Sequence, residues 1–228
     1  MNYVHITGFA RAGTTLLKNL FVCFKNTYIT AGEVSRIGFS YPRAAHGRVV
    51  VTKHPNDIER PELLMAQLDT HHIFLIRDPR DRACSSTGDV RGDQGRSLSV
   101  IRKANESDYY RIRMEFLEKF RDQVLIVKYE DVIQQPDETQ QRLADYCSLE
   151  IDIPFAEGWS RFSENENENH LQKVMNGLRP LDARTIGRWQ TGEFQGAIQE
   201  YLRKHPQVRS FIKEFYPEPG CENPQREV

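Results

Sequence analysis

Three stretches of this sequence carry side chains suited to holding an anion. Gly8-Phe9-Ala10-Arg11-Ala12-Gly13-Thr14-Thr15 follows an apolar run and opens an amphipathic one. Glycines let backbone amides turn inward and a helix N-terminus adds positive potential, so this is the spacing of a phosphate-binding loop. A nucleotide triphosphatase loop would end in Gly-Lys-Ser/Thr. Here Thr14 stands at the lysine position, and the cation is Arg11, inside the loop. A γ-phosphoryl group with Mg²⁺ needs lysine and metal to offset its charge. A less charged transferred group can be held by one loop cation with hydroxyl and amide donors, and without metal. In the second stretch Arg77 ends an apolar run and Ser85 follows eight residues later, placed to face one anion above the C-terminal edge of a sheet. The third is Val127-Lys128-Tyr129-Glu130-Asp131, where an aromatic ends a strand.

In this order the three stretches resemble the PAPS-dependent sulfotransferases (PAPS is 3′-phosphoadenosine-5′-phosphosulfate). Arg-Ala-Gly-Thr-Thr-Leu is similar to the family's 5′-phosphosulfate loop, Lys/Arg-Ser-Gly-Thr-Thr, and implies cofactor contacts from Arg11, Ala12, Gly13, Thr14 and Thr15. Ala12 replaces a serine. Leu16 stands where the cytosolic small-molecule branch has a tryptophan, so the resemblance leans to the tyrosylprotein and bacterial branch. Arg77-Asp-Pro…Ser85 resembles the 3′-phosphate site, and Tyr129 the tyrosine beside the adenine. Ala183-Arg184-Thr185-Ile186-Gly187-Arg188-Trp189 is like the segment that closes over the cofactor, which makes both Arg184 and Arg188 candidate 3′-phosphate ligands.

The resemblance implies transfer of a sulfuryl group from PAPS to an acceptor hydroxyl or amine, with PAP as product and no metal. Such a reaction needs an acceptor deprotonated as it attacks and stabilised charge on the leaving bridging oxygen. Arg11 and Lys53 are expected to serve the oxygen. For the base, Glu33 and His54 stand equal: an imidazole titrates in the right range, and Ala-Gly-Glu33 resembles the segment carrying the tyrosylprotein branch's glutamate. Asp57 ranks third. The alternatives to catalysis are a Glu33–Arg36 pair and a helix cap by His54. Gly88–Lys103 is expected to cover the acceptor, whose class stays open. The competing activity is that of a small P-loop kinase acting on a nucleotide or sugar with ATP, which Thr14 disfavours.

Positioning these groups takes strands that end where the motifs begin. Tyr3–Thr7, Val49–Thr52, Ile73–Ile76 and Val124–Val127 are short apolar runs, and Thr14–Phe24, Pro79–Thr87, Leu98–Phe120 and Glu138–Cys147 between them are helical. Apolar strands separated by helices imply βαβ units. The expected fold is therefore α/β, a three-layer P-loop-like arrangement with a central parallel sheet flanked by helices. One helix is expected over Glu193–Phe215, and Asp78, Arg80, Asp81 and Arg82 are expected to form a solvent-facing cluster. Residues 1–228 are expected to form one domain.

Composition narrows the class. Lys plus Arg number 31 against 32 Asp plus Glu, a net charge of −1, which argues against general nucleic-acid binding. Cys23, Cys84, Cys147 and Cys221 lie far apart with no CxxC pair, so neither a zinc site nor a redox motif is expected. No run approaches a transmembrane helix and no basic-then-apolar leader is visible. The expected location is the cytoplasm, with no membrane insertion.

Overall fold

The computed structural model describes residues 3–85, 106–164, 169, 171 and 177–217. The expected covering segment at 88–103, Arg91, Arg96 and Arg102 within it, and Cys221 lie outside the described residues.

Five strands, β1 (Tyr3–Gly8), β2 (Thr27–Ile29), β3 (Val49–Lys53), β4 (Thr70–Ile76) and β5 (Val124–Lys128), form one parallel sheet in the order β2-β3-β1-β4-β5. All six residues of β1 are buried, as a central parallel strand covered on both faces requires. The helices are α1 (Thr14–Leu20), α2 (Pro61–Met65), α3 (Pro79–Ala83), α4 (Glu106–Phe120), α5 (Tyr129–Gln134) and α6 (Pro136–Cys147), followed by Gly192–Lys204 and Pro206–Phe215. The three-layer α/β expectation holds. Phe74 of β4 stacks on Phe116 of α4 at 5.5 Å, and Phe9 meets Phe211 at 5.0 Å, joining α4 and the C-terminal helix to the sheet.

Register decides where the motifs meet. Ile6 of β1 lies opposite Lys53 on one side and Ile73 on the other. From β1 the chain runs to β2 and β3 on one side and then crosses to β4 and β5 on the other, so the phosphate loop, Lys53 and Arg77 all emerge at the C-terminal edge beside a topological switch point.

Several elements differ from the sequence reading: α2 and α5 were not expected, α1 ends at Leu20, and two further differences have a plain local reason. β2 is a three-residue edge strand, too short for its pattern to stand out. The helix expected over Glu193–Phe215 is two helices. Pro206 has no N–H to continue the ladder, and His205 adopts φ −125° and ψ 81° at the break.

Candidate active site

The phosphate loop is built from three residues with positive φ: Gly8 at 128°, Arg11 at 68° and Gly13 at 95°. Gly8 cannot be replaced, because a Cβ there would collide with the Leu75 carbonyl. At Gly13 a Cβ would lie 2.5 Å from the Tyr129 ring. The loop's backbone groups are held from below by α3 and α4. Arg113 Nε donates to Gly8 O at 3.1 Å, Arg82 Nη1 donates to Ala10 O at 3.3 Å, and Ala10 N donates to Tyr109 OH at 2.6 Å. Ala12 is buried, and its amide is used within the turn, donating to Phe9 O at 3.1 Å.

This support corrects the expectation of a solvent-facing cluster. Asp81 and Arg82 are 1% and 2% exposed. Arg82 forms a buried ion pair with Glu106, and its Nε donates to Tyr110 OH at 3.0 Å. Burial opposes its charge, but Tyr110 and Glu106 more than offset this, and its pKa is raised. The short α3 lies against α4 and the 182–190 segment instead of water, and a charge buried this way has to be paired. Asp78 caps α3 by accepting from Arg80 N at 2.8 Å.

At the end of β3, Lys53 Nζ lies 2.5 Å from Glu33 Oε1 and donates to Thr15 Oγ1 at 3.2 Å. Buried Lys18, which sequence reasoning did not single out, donates to Thr30 O at 2.8 Å and Gly32 O at 3.0 Å, fixing the turn that carries Glu33. Glu33 is not paired with Arg36. Arg36 binds Asp69 at 2.7 Å and lies over the Tyr3 ring at 3.7 Å.

Asp57 is fully buried and accepts from Ser35 Oγ at 2.8 Å and Arg36 N at 2.9 Å. His54 Nδ1 lies 2.8 Å from Asp57 Oδ1 and His5 Nε2 3.3 Å from Oδ2. Burial pushes this carboxyl up, but hydrogen bonds from His5 and Ser35, His5's charge and the Arg36 amide outweigh it and hold it well below the usual carboxylate range.

At the end of β4, Arg77 Nη2 donates to Thr185 O at 2.8 Å and Nη1 to Arg11 O at 3.4 Å, with the guanidinium 4.2 Å over the Tyr129 ring. Tyr129 OH and Thr185 Oγ1 are 2.9 Å apart. Ser85 Oγ accepts from Arg11 Nη2 at 3.3 Å. Burial, then the charge of Arg77, lowers the Arg11 pKa. A second anion-seeking group so close makes an incoming polyanion favourable.

These groups converge on a cleft of about 280 Å³. Of the residues singled out in the sequence, Arg11, Gly13, Thr14, Thr15, Glu33, Lys53, Arg77, Ser85, Tyr129 and Arg188 line it. His54 and Ala12 do not, and neither does Arg184, whose side chain is 90% exposed and pairs with Asp182 at 2.9 Å. Arg179 and Asp182 line it without having been anticipated, and so does Thr185, which belongs to the expected closing segment but was not singled out as a ligand. The cations Arg11, Lys53, Arg77, Arg179 and Arg188 face two acids, Glu33 and Asp182, each already next to a cation. The buried Nε of Arg77 has no hydrogen-bond partner among the described residues. This donor set fits a ligand with several negative charges, as PAPS is.

Residues 28–153 match the model of the Sulfotransferase family. The chain belongs to the sulfotransferase family. It is a PAPS-dependent sulfotransferase acting on an acceptor substrate. The phosphate loop precedes the matched range, so its assignment stands on its own geometry. No curated protein matches the chain. Among solved structures, this sulfotransferase is similar to the sulfotransferase domain of the Synechococcus PCC 7002 olefin synthase, at TM-score 0.60 and 15% identity over 92% of this chain and 94% of that one. It is also similar to a sulfotransferase from Alicyclobacillus acidocaldarius, at TM-score 0.53 and 14% identity over 92% and 95%. Mouse sulfotransferase SULT7A1 complexed with PAP aligns at TM-score 0.53 and 10% identity over 92% and 89%. At such identities the likeness is one of fold. Among the described residues no helix of this sulfotransferase is long and apolar enough to cross a membrane.

Proposed function

We propose that residues 1–228 form one catalytic domain in which Glu33 is the base, Arg11 and Lys53 are the catalytic cations, and no metal takes part. PAPS, when bound, supplies the activated sulfuryl group. The observation that carries this reading is the contact of Lys53 Nζ with both Glu33 and Thr15 in one cleft. Glu33 is placed to take the proton of an acceptor hydroxyl or amine. As it does so its charge is lost, and the Lys53 ammonium is left to meet negative charge developing on the bridging oxygen. Arg11, at the helix N-terminus, acts on the same oxygen.

His54 is the weaker base, because its Nδ1 is turned to Asp57 and it does not line the cleft. Arg77, Ser85 and Arg188 are assigned to the 3′-phosphate, and Tyr129 to the adenosine side, where it braces Gly13 and Arg77. Arg184, exposed and paired with Asp182, takes no part in holding the donor. The buried free thiols of Cys23, Cys84 and Cys147 favour a reducing, cytoplasmic location.

The test is transfer of labelled sulfate from PAPS to a panel of carbohydrate, peptide, lipid and small-metabolite acceptors, with and without EDTA. Transfer that persists in EDTA is expected. Loss in EDTA with recovery on adding a divalent ion would overturn the metal-free assignment, and stabilisation by ATP-Mg²⁺ but not PAP would overturn the donor assignment.

A further inference from the structure

The segment 182–190 brings Thr185 and Arg188 to the cleft without a strand or long helix of its own to hold it. Its anchorage is the α3 turn. Asp81 Oδ2 accepts from Gly187 N at 2.7 Å, and Asp81 Oδ1 lies 3.4 Å from Trp189 N. The next residue back, Arg80, lays its guanidinium 4.0 Å over the Trp189 ring while Asp78 holds it through both carboxylate oxygens. Gly187 adopts φ 74°, in the left-handed region. One buried carboxylate thus fixes the amides immediately before and after Arg188.

We infer that Asp81 is a positioning residue for the donor: by clamping both amides that flank Arg188, it aims that guanidinium into the cleft at the 3′-phosphate. This rests on the assignment of Arg188 to the 3′-phosphate. The physical reason is preorganisation. With its neighbours' N–H groups fixed, Arg188 has little backbone freedom to lose when a phosphate binds. Burial pushes the Asp81 carboxyl up, opposed by the Gly187 amide and the nearby Arg77 charge. The Gly187 amide thus favours the ionised form of the carboxylate that accepts from it. The sequence could not give this, because Asp81 and Gly187 are 106 residues apart.

The experiment measures affinity for PAP and for adenosine 5′-phosphosulfate, which lacks the 3′-phosphate, by calorimetry on the full chain, with apo melting as the control for folding. Asp81→Asn keeps the shape but presents an NH₂ to one of the two backbone amides. It should weaken PAP about tenfold or more, the scale of a charged hydrogen bond, and adenosine 5′-phosphosulfate less than threefold. Arg188→Ala should show the same split, and the double variant should bind PAP no worse than Arg188→Ala alone. Gly187→Ala attacks the contact from the loop side and leaves α3 intact. It should reproduce the split even if Asp81→Asn does not fold. If Arg188→Ala splits the ligands while Asp81→Asn and Gly187→Ala leave PAP unchanged, or weaken both ligands equally, the positioning role is overturned and the 3′-phosphate assignment stands. If Arg188→Ala itself shows no split, both are overturned.

Discussion

The ammonium of Lys53 sits 2.5 Å from Oε1 of Glu33, and the two side chains differ sharply in exposure, 3% for the lysine and 56% for the glutamate. The cation is therefore fixed in the wall of the cleft, while the carboxylate is open to solvent, as the proposed base must be to meet an acceptor. In the proposed mechanism, a proton taken by Glu33 would free the charge of Lys53.

Replacing Glu33 by Gln keeps the shape and removes the proposed base. Turnover should fall between a hundredfold and ten-thousandfold, the usual range for a general base, with PAP affinity within a few-fold of the parent protein. His54→Gln should cost less than tenfold. Steady-state rates with labelled PAPS decide this, and the reverse ranking would make His54 the base.

Arg11 stands at φ 68°, a backbone region that disfavours every residue with a Cβ by about 1–2 kcal/mol. Arg11→Gly should relieve that strain and melt at or above the parent temperature, yet lose turnover by roughly a hundredfold or more, the scale of one charge-stabilising donor. Arg11→Ala should lose as much activity without gaining stability. A variant that keeps near-normal turnover would shift the burden to Lys53.

Arg77 touches Arg11 O, Thr185 O and the Tyr129 ring. Arg77→Ala should weaken PAP far more than adenosine 5′-phosphosulfate, with an apo melting temperature slightly lowered by the lost contacts. Equal losses for both ligands, read by calorimetry, would mean that this arginine serves the fold or the 5′ side.

The buried histidines beside β1 set an acid limit. Burial, with a smaller contribution from His5, lowers His72 to about 4 from its ordinary 6.5. His5 is lowered by burial too, against the opposing pull of Asp57. The unfolded chain then binds more protons than the folded one below pH 6.5, so stability is full above that value and declines as pH falls toward 4. A melting temperature that drops by several degrees over this window is expected, and His72→Leu should flatten part of the slope. An unchanged slope would place the sensitivity elsewhere, first at His5 and His71.

The sequence by itself determined the parallel α/β sheet, the phosphate loop and the order of the anion-binding motifs. These follow from short-range properties: fully apolar strands, a helix opening at Thr14, and two glycines spaced to let the chain turn. It also placed Lys53 and Arg77, each at the end of a strand whose register carries it to one sheet edge, and Ser85, just past the short helix that follows Arg77. Only the tertiary structure decided between Glu33 and His54 as cleft residues, since the choice depends on Lys53 reaching across to Glu33 and Asp57 drawing His54 aside. It likewise separated Arg188 from Arg184, four residues apart and alike in composition, by which of them faces the cleft. The burial of Asp81 and Arg82 was invisible in a run of alternating charges. Their partners, Gly187 and Glu106, lie far along the chain, and a charged side chain shows its burial only through the groups that pair with it.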